Sequence, residues 1–170
     1  MYRQNRAFTK EATLRASWLC IGSLLLFGQS ACAEDNDKLF GAWKIVSAVV
    51  EDVQTREQKP LYGEHPKGYL ILLASGRMMS LLVSDGRKAP QTDEERSAAY
   101  RSMVAYSGKF RVEGNKWITK PDVAWNEAWL VDQERNFRLE GDKLYIETEP
   151  QINPNFGKLV RVTLIWEREK

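Results

Sequence analysis

Three glycine-bearing pairs, Ser75-Gly76, Gly114-Asn115 and Gly141-Asp142, each lie between runs of strand-favouring residues. A two-residue connection with glycine turns an antiparallel hairpin. The sequence therefore predicts strands over 39–53, 68–74, 77–83, 109–113, 116–120, 135–140, 143–149 and 158–168. Asp85-Gly86 ends the third of them. Nearly all are sequence neighbours, so the sheet is a meander. Eight such strands favour closure into an up-and-down antiparallel β-barrel, because closure removes exposed edges. A barrel of that size fills with side chains or holds one small ligand. The expected fold class is all-β.

Two segments interrupt the strands. Thr92-Asp93-Glu94-Glu95 reads as a capping box with acidic residues in the first helical turn. It predicts one helix, between the third and fourth strands, ending near Ala105. Ala99, Tyr100, Met103 and Val104 recur at helical spacing, and this face is expected to lie across one barrel mouth as a plug. Residues 54–67 form a long loop with Pro60, Gly63 and Pro66, and long loops are often functional.

Residues 1–33 read as a secretory signal peptide. Arg3, Arg6, Lys10 and Arg15 precede an apolar run, Ala16 to Gly28, and the small-residue site Ala31-Cys32-Ala33. The run is shorter than the roughly 20 apolar residues a spanning helix needs. Cleavage after Ala33 competes with lipidation at Cys32 and with an uncleaved anchor. A lipoprotein signal wants an aliphatic residue where Gln29 stands, which favours cleavage. The expected mature domain is 34–170, an exported, periplasmic or secreted monomer.

That division changes the charge argument. The whole chain carries a formal +2, but residues 34–170 hold 21 Lys and Arg against 22 Asp and Glu. No basic run tracks phosphates, so nucleic acid is not an expected partner. Both cysteines, Cys20 and Cys32, fall before residue 34, leaving no thiol chemistry or disulfide in the domain. His65 is the single histidine and cannot build the usual metal site, so no metal or cofactor is expected. No nucleophile motif surrounds Ser47 or Ser80, and no glycine-rich phosphate loop occurs. Acid–base work by a buried Asp, Glu or Tyr leaves no sequence signature.

The first strand opens on Gly41-Ala42-Trp43. Gly41 lets another segment approach closely, and Trp43 supplies a large apolar body with one N–H. Phe40-Gly41-Ala42-Trp43-Lys44-Ile45-Val46-Ser47 resembles the opening strand of the calycins, the superfamily of lipocalins and fatty-acid-binding proteins. Tyr62 to Ile71, Ser75 to Met78, Thr92 to Arg96, Gly141 to Leu144 and Leu164 to Arg168 resemble one branch, the bacterial and fungal lipocalin-like domain. The resemblance spans nearly all of the chain after residue 38. It implies that Trp43 closes the barrel floor with Arg168 stacked on it. Fatty-acid-binding proteins carry a helical lid near residues 54–67, and that stretch lacks the apolar period of a helix. Their lipid-carboxylate clamp falls here on Leu164 and Trp166, so that clamp is absent.

A ligand pocket would be apolar with a few polar groups. Strand parity offers Tyr69, Ile71, Met79, Leu81, Phe110, Trp117, Phe137 and Tyr145 as inward candidates, with Tyr100, Met103 and Trp129 near an open end. The last strand should bury Val160, Val162, Leu164 and Trp166. Parity places Arg138 and Arg161 outward. The leading expectation is binding of a small hydrophobic or aromatic molecule. Two alternatives stand beside it: an isomerase, cyclase or hydratase using the same cavity, and a protein-interaction module presenting Trp125 and Trp129.

Overall fold

The computed structural model describes residues 36–153 and 157–170. The expected signal segment lies outside them. Among the described residues, ten antiparallel strands form one sheet: β1 (Gly41–Asp52), β2 (Gln58–Pro60), β3 (Lys67–Leu72), β4 (Arg77–Val83), β5 (Met103–Glu113), β6 (Lys116–Ala124), β7 (Gln133–Glu140), β8 (Lys143–Thr148), β9 (Gln151–Asn153) and β10 (Lys158–Arg168). Their order is β2-β1-β3-β4-β5-β6-β7-β8-β10-β9, and β1 also pairs with β10. That pairing runs from Trp43 opposite Arg168 to Asp52 opposite Val160 and closes the barrel. Eight strands make the wall. The short β2 and β9 only flank the β1–β10 seam.

The helix α1 (Asp93–Arg101) differs from expectation in two ways. It follows the fourth strand, not the third, because Gln58–Pro60 pairs with β1 as an extra strand. It also stops at Arg101. Met103 and Val104 instead open β5, opposite Val83 and Leu82. Sheet pairing and the stiff β-branched Val104 override the helical spacing there. The capping box is present: Glu95 N–H donates to Thr92 Oγ1 at 3.2 Å and Thr92 N–H to Glu95 Oε2 at 3.2 Å. No α1 residue is buried, so the helix lies on the rim and plugs nothing. The loop before β3 holds no helix among the described residues.

The three tight hairpins turn at one end of the barrel, and the long connections all lie at the other. Trp43 seals the hairpin end. It is fully buried, its Nε1 donates to Leu39 O at 2.8 Å, and the Arg168 guanidinium lies over its ring at 4.2 Å. Arg168 also donates to the Phe40 carbonyl at 3.1 Å and to that of Lys38. Gly41 has φ of +130°, a backbone conformation that favours glycine, and a Cβ there would also sit 3.2 Å from the guanidinium. Above this floor Trp117 and Trp166 are buried with Leu70, Leu72, Met78 and Leu144.

At the opposite end carboxylates tie β1 to its neighbours. Asp52 pairs with Lys158 at 3.0 Å and accepts from the Gln54 and Thr55 amides. The lysine, then the amides, pull its pKa from 3.8 to about 2. A lowered folded-state pKa stabilises above the ordinary value and ceases to do so as pH falls through the folded one. Unfolding midpoints in urea should therefore drop between about pH 4 and 2, and Asp52→Asn should flatten that drop. An unchanged slope in the variant would contradict the assignment.

Candidate functional site

The alternation of each strand decides what the barrel interior contains. Leu70, Met78 and Trp166 bound the bottom of an interior hollow, and Ser80, Tyr106 and Arg135 stand around it toward the open end. Trp117, Ile146 and Leu164 complete the lining. The room is small: about 10 Å³ is open to the centre of a water-sized sphere, space for roughly one water molecule. This hollow has little free room, yet Tyr106, Arg135 and Leu164 are only partly buried although they face inward. Solvent reaches the interior from the loop end.

Aromatic rings wall that entrance. A single 3-10 turn, Glu127–Trp129, carries Trp129, whose ring lies 5.5 Å from Tyr106 and 5.0 Å from Trp125. Trp125 in turn touches Tyr100 of α1 at 6.3 Å. Two hydrogen bonds lock this last pair: Tyr100 hydroxyl to Trp125 O at 3.0 Å, and Trp125 Nε1 to Tyr100 O at 3.3 Å. Gln133 Nε2 donates to Trp129 O at 3.3 Å and holds the turn against β7.

Of the pocket residues expected from parity, Phe110, Trp117 and Phe137 face inward. Phe110 stacks on Trp117 at 4.9 Å, and Phe137 meets Trp117 edge-on at 6.0 Å. They form packed core, and of the three only Trp117 also borders the hollow. Tyr69, Met79 and Tyr145 stand on the outer face, as do Ile71 and Leu81. Met79 is 56% exposed, while its neighbour Met78 is buried. Tyr145 lies under the Arg138 guanidinium at 3.7 Å, outside the barrel. These strands are apolar on both faces, so alternation alone could not say which face turns in. Met103 is outward beside buried Val104, and Tyr100 is on the rim.

Sequence reasoning missed the interior polar groups. Ser80, Tyr106, Arg135 and Trp166 all border the hollow. A signal for Arg135 did exist: it shares parity with Phe137, two residues on. Trp166 is 1% exposed and its Nε1 has no hydrogen-bond partner. Gln133 Oε1 is likewise buried without one. Tyr62, from the loop before β3, packs on the core near Tyr106. Burial, then the Tyr106 phenol, hold its hydroxyl above the usual 10, so it stays protonated. Among the described residues no carboxylate lines the hollow, and His65 is exposed in its loop. The arrangement can donate hydrogen bonds and stack rings; it offers no base beside them.

A family model described as a lipocalin-like domain matches residues 40–169. A search of curated proteins found no match.

Proposed function

The chain belongs to the lipocalin-like domain family, and from that premise we propose that its barrel binds a small hydrophobic or aromatic molecule at the open end. One observation carries the reading: inward side chains on β5, β7 and β10 remain solvent-reachable behind a wall of Trp129, Trp125 and Tyr106. Since the hollow now admits about one water, a ligand enters by displacing side chains. Met78 is the long unbranched one that can turn aside. Titrating residues 34–170 with apolar dyes and aromatic metabolites should give saturable quenching of tryptophan emission. Trp129→Ala should weaken binding about tenfold, which equals about 1.4 kcal/mol. Absence of quenching and of any ligand-induced rise in Tm across the panel would sink the proposal.

The enzyme reading is weaker, since the lining offers no carboxylate or histidine to move a proton. The interaction-module reading needed Trp125 and Trp129 presented to solvent, and both are half-buried against tyrosines. We further propose export with cleavage after Ala33, on the strength of the basic, apolar and small-residue order in 1–33. No helix among the described residues is long and apolar enough to cross a membrane. Intact mass of the exported protein separates cleavage at 33 from a lipid on Cys32.

A further inference from the structure

We infer that the ligand carries a carboxylate, and that Arg135 holds this group inside the barrel while the ligand's apolar or aromatic body rests against Tyr106 and Trp129. The inference rests on the binding reading above and specifies the ligand class.

Arg135 is unlike the other arginines of the described residues. Arg56 and Arg161 meet Glu51, Arg77 meets Asp122, Arg96 meets Asp93, Arg111 meets Glu113, and Arg138 meets Glu140 and Glu147. Arg87 and Arg101 donate to Ser102 O and Ser97 Oγ, and Arg168 to carbonyls at the floor. Arg135 has no ion pair and no side-chain hydrogen bond, yet it is the one that borders the interior hollow. A guanidinium drawn partly out of water without a partner costs free energy, so its place calls for an acceptor.

A second observation points the same way. Trp166 Nε1 is a buried donor with no hydrogen-bond partner, on a side chain that lines the same hollow. The hydroxyls of Ser80 and Tyr106 add further donors. No acid among the lining residues competes for them. The two groups without partners, the guanidinium and the indole N–H, can only donate and so call for an acceptor, and the planar guanidinium fork matches a carboxylate in particular. The hollow as it stands has room for about one water, so a carboxylate enters only as Met78 turns aside, with the ligand's body left against Tyr106 and Trp129 toward the open end. This cation stands on β7, two strands from the β10 positions Leu164 and Trp166 where the resemblance to fatty-acid-binding proteins would have put a clamp.

The test compares acid with ester. Dansylaminoundecanoic acid and 1-naphthaleneacetic acid, each beside its methyl ester, are titrated into wild type, Arg135→Leu, Arg135→Gln and Arg135→Lys. Wild type should bind the acids at least tenfold tighter than the esters. Arg135→Leu and Arg135→Gln should abolish that preference without lowering the Tm, and Arg135→Lys should keep some of it. Should one variant fail to fold, the other carries the comparison. Equal binding of acid and ester by wild type overturns the carboxylate and leaves the binding site standing, with a single water on Trp166 as the occupant. An acid preference that survives in Arg135→Gln overturns the role of Arg135. Failure of every acid and ester to bind removes the binding reading itself, and the inference with it.

Discussion

Trp43→Ala should lower the unfolding free energy by about 3–5 kcal/mol, the cost of emptying an aromatic site in a core that cannot collapse. The site cannot collapse because its surroundings are fixed from several directions. The indole N–H is bonded to Leu39 O, the guanidinium of Arg168 covers the ring, and Leu70 pairs across from it on β3. Arg168→Ala should cost less, about 1–2 kcal/mol, since it removes one cation–π contact and hydrogen bonds to carbonyls that water can reach. Met79→Ala, on the outer face, should stay within about 0.5 kcal/mol. Urea unfolding followed by far-ultraviolet circular dichroism checks all three, as tryptophan emission changes with the substitution. A loss below about 1 kcal/mol for Trp43→Ala would mean that the hairpin end is not sealed by this residue.

Valine at Gly68 or Gly108 should destabilise by about 3 kcal/mol or more, beyond ordinary overpacking, because the obstacle is backbone. A Cβ at Gly68 would lie 2.2 Å from Leu81 O and 2.8 Å from Leu82 Cα. One at Gly108 would lie 2.3 Å from Lys120 O and 2.6 Å from Pro121 Cα. Gly108 also adjoins the register shift between β5 and β6: Ser107 pairs with Val123 and Gly108 with Pro121, which leaves Asp122 as the extra residue. These two close approaches let neighbouring strands coil tightly enough for the sheet to shut on itself. Gly114 and Gly141 provide the contrast: each has a positive φ near +60° but nothing within 4 Å of a Cβ. Alanine there should cost only the left-handed penalty, about 1–2 kcal/mol. Thermal melts of the four variants separate the two classes. Equal losses at Gly68 and Gly114 would remove the case for steric closure.

The hairpins were readable because glycine pairs punctuate the chain between strand-forming runs, and the Trp43–Arg168 juxtaposition was expected from the resemblance to lipocalins. The last strand was readable too: Val160 and Trp166 are buried, with Val162 and Leu164 on the same face. Other features were hidden for physical reasons. Leu70-Ile71-Leu72 and Leu144-Tyr145-Ile146 are apolar at every position, so a period of two carries no sign. Met103 and Val104 fit a helix by spacing but find strand partners about 20 residues earlier, at Val83 and Leu82, which local pattern cannot weigh. Arg135 was hidden because charge argues for the surface, even where Phe137 beside it argues for the interior.

The order of polar breaks and strand-forming runs, by itself, determined that this chain builds an antiparallel meander of eight wall strands. Turn chemistry and alternation are local, and local rules suffice for that. Only the closed barrel decided which of two apolar faces turns inward, that α1 stays on the rim, and that a guanidinium and an indole N–H share the interior without partners. Those outcomes depend on curvature and on side chains brought together from β3, β4, β5, β7 and β10, which are distant in sequence.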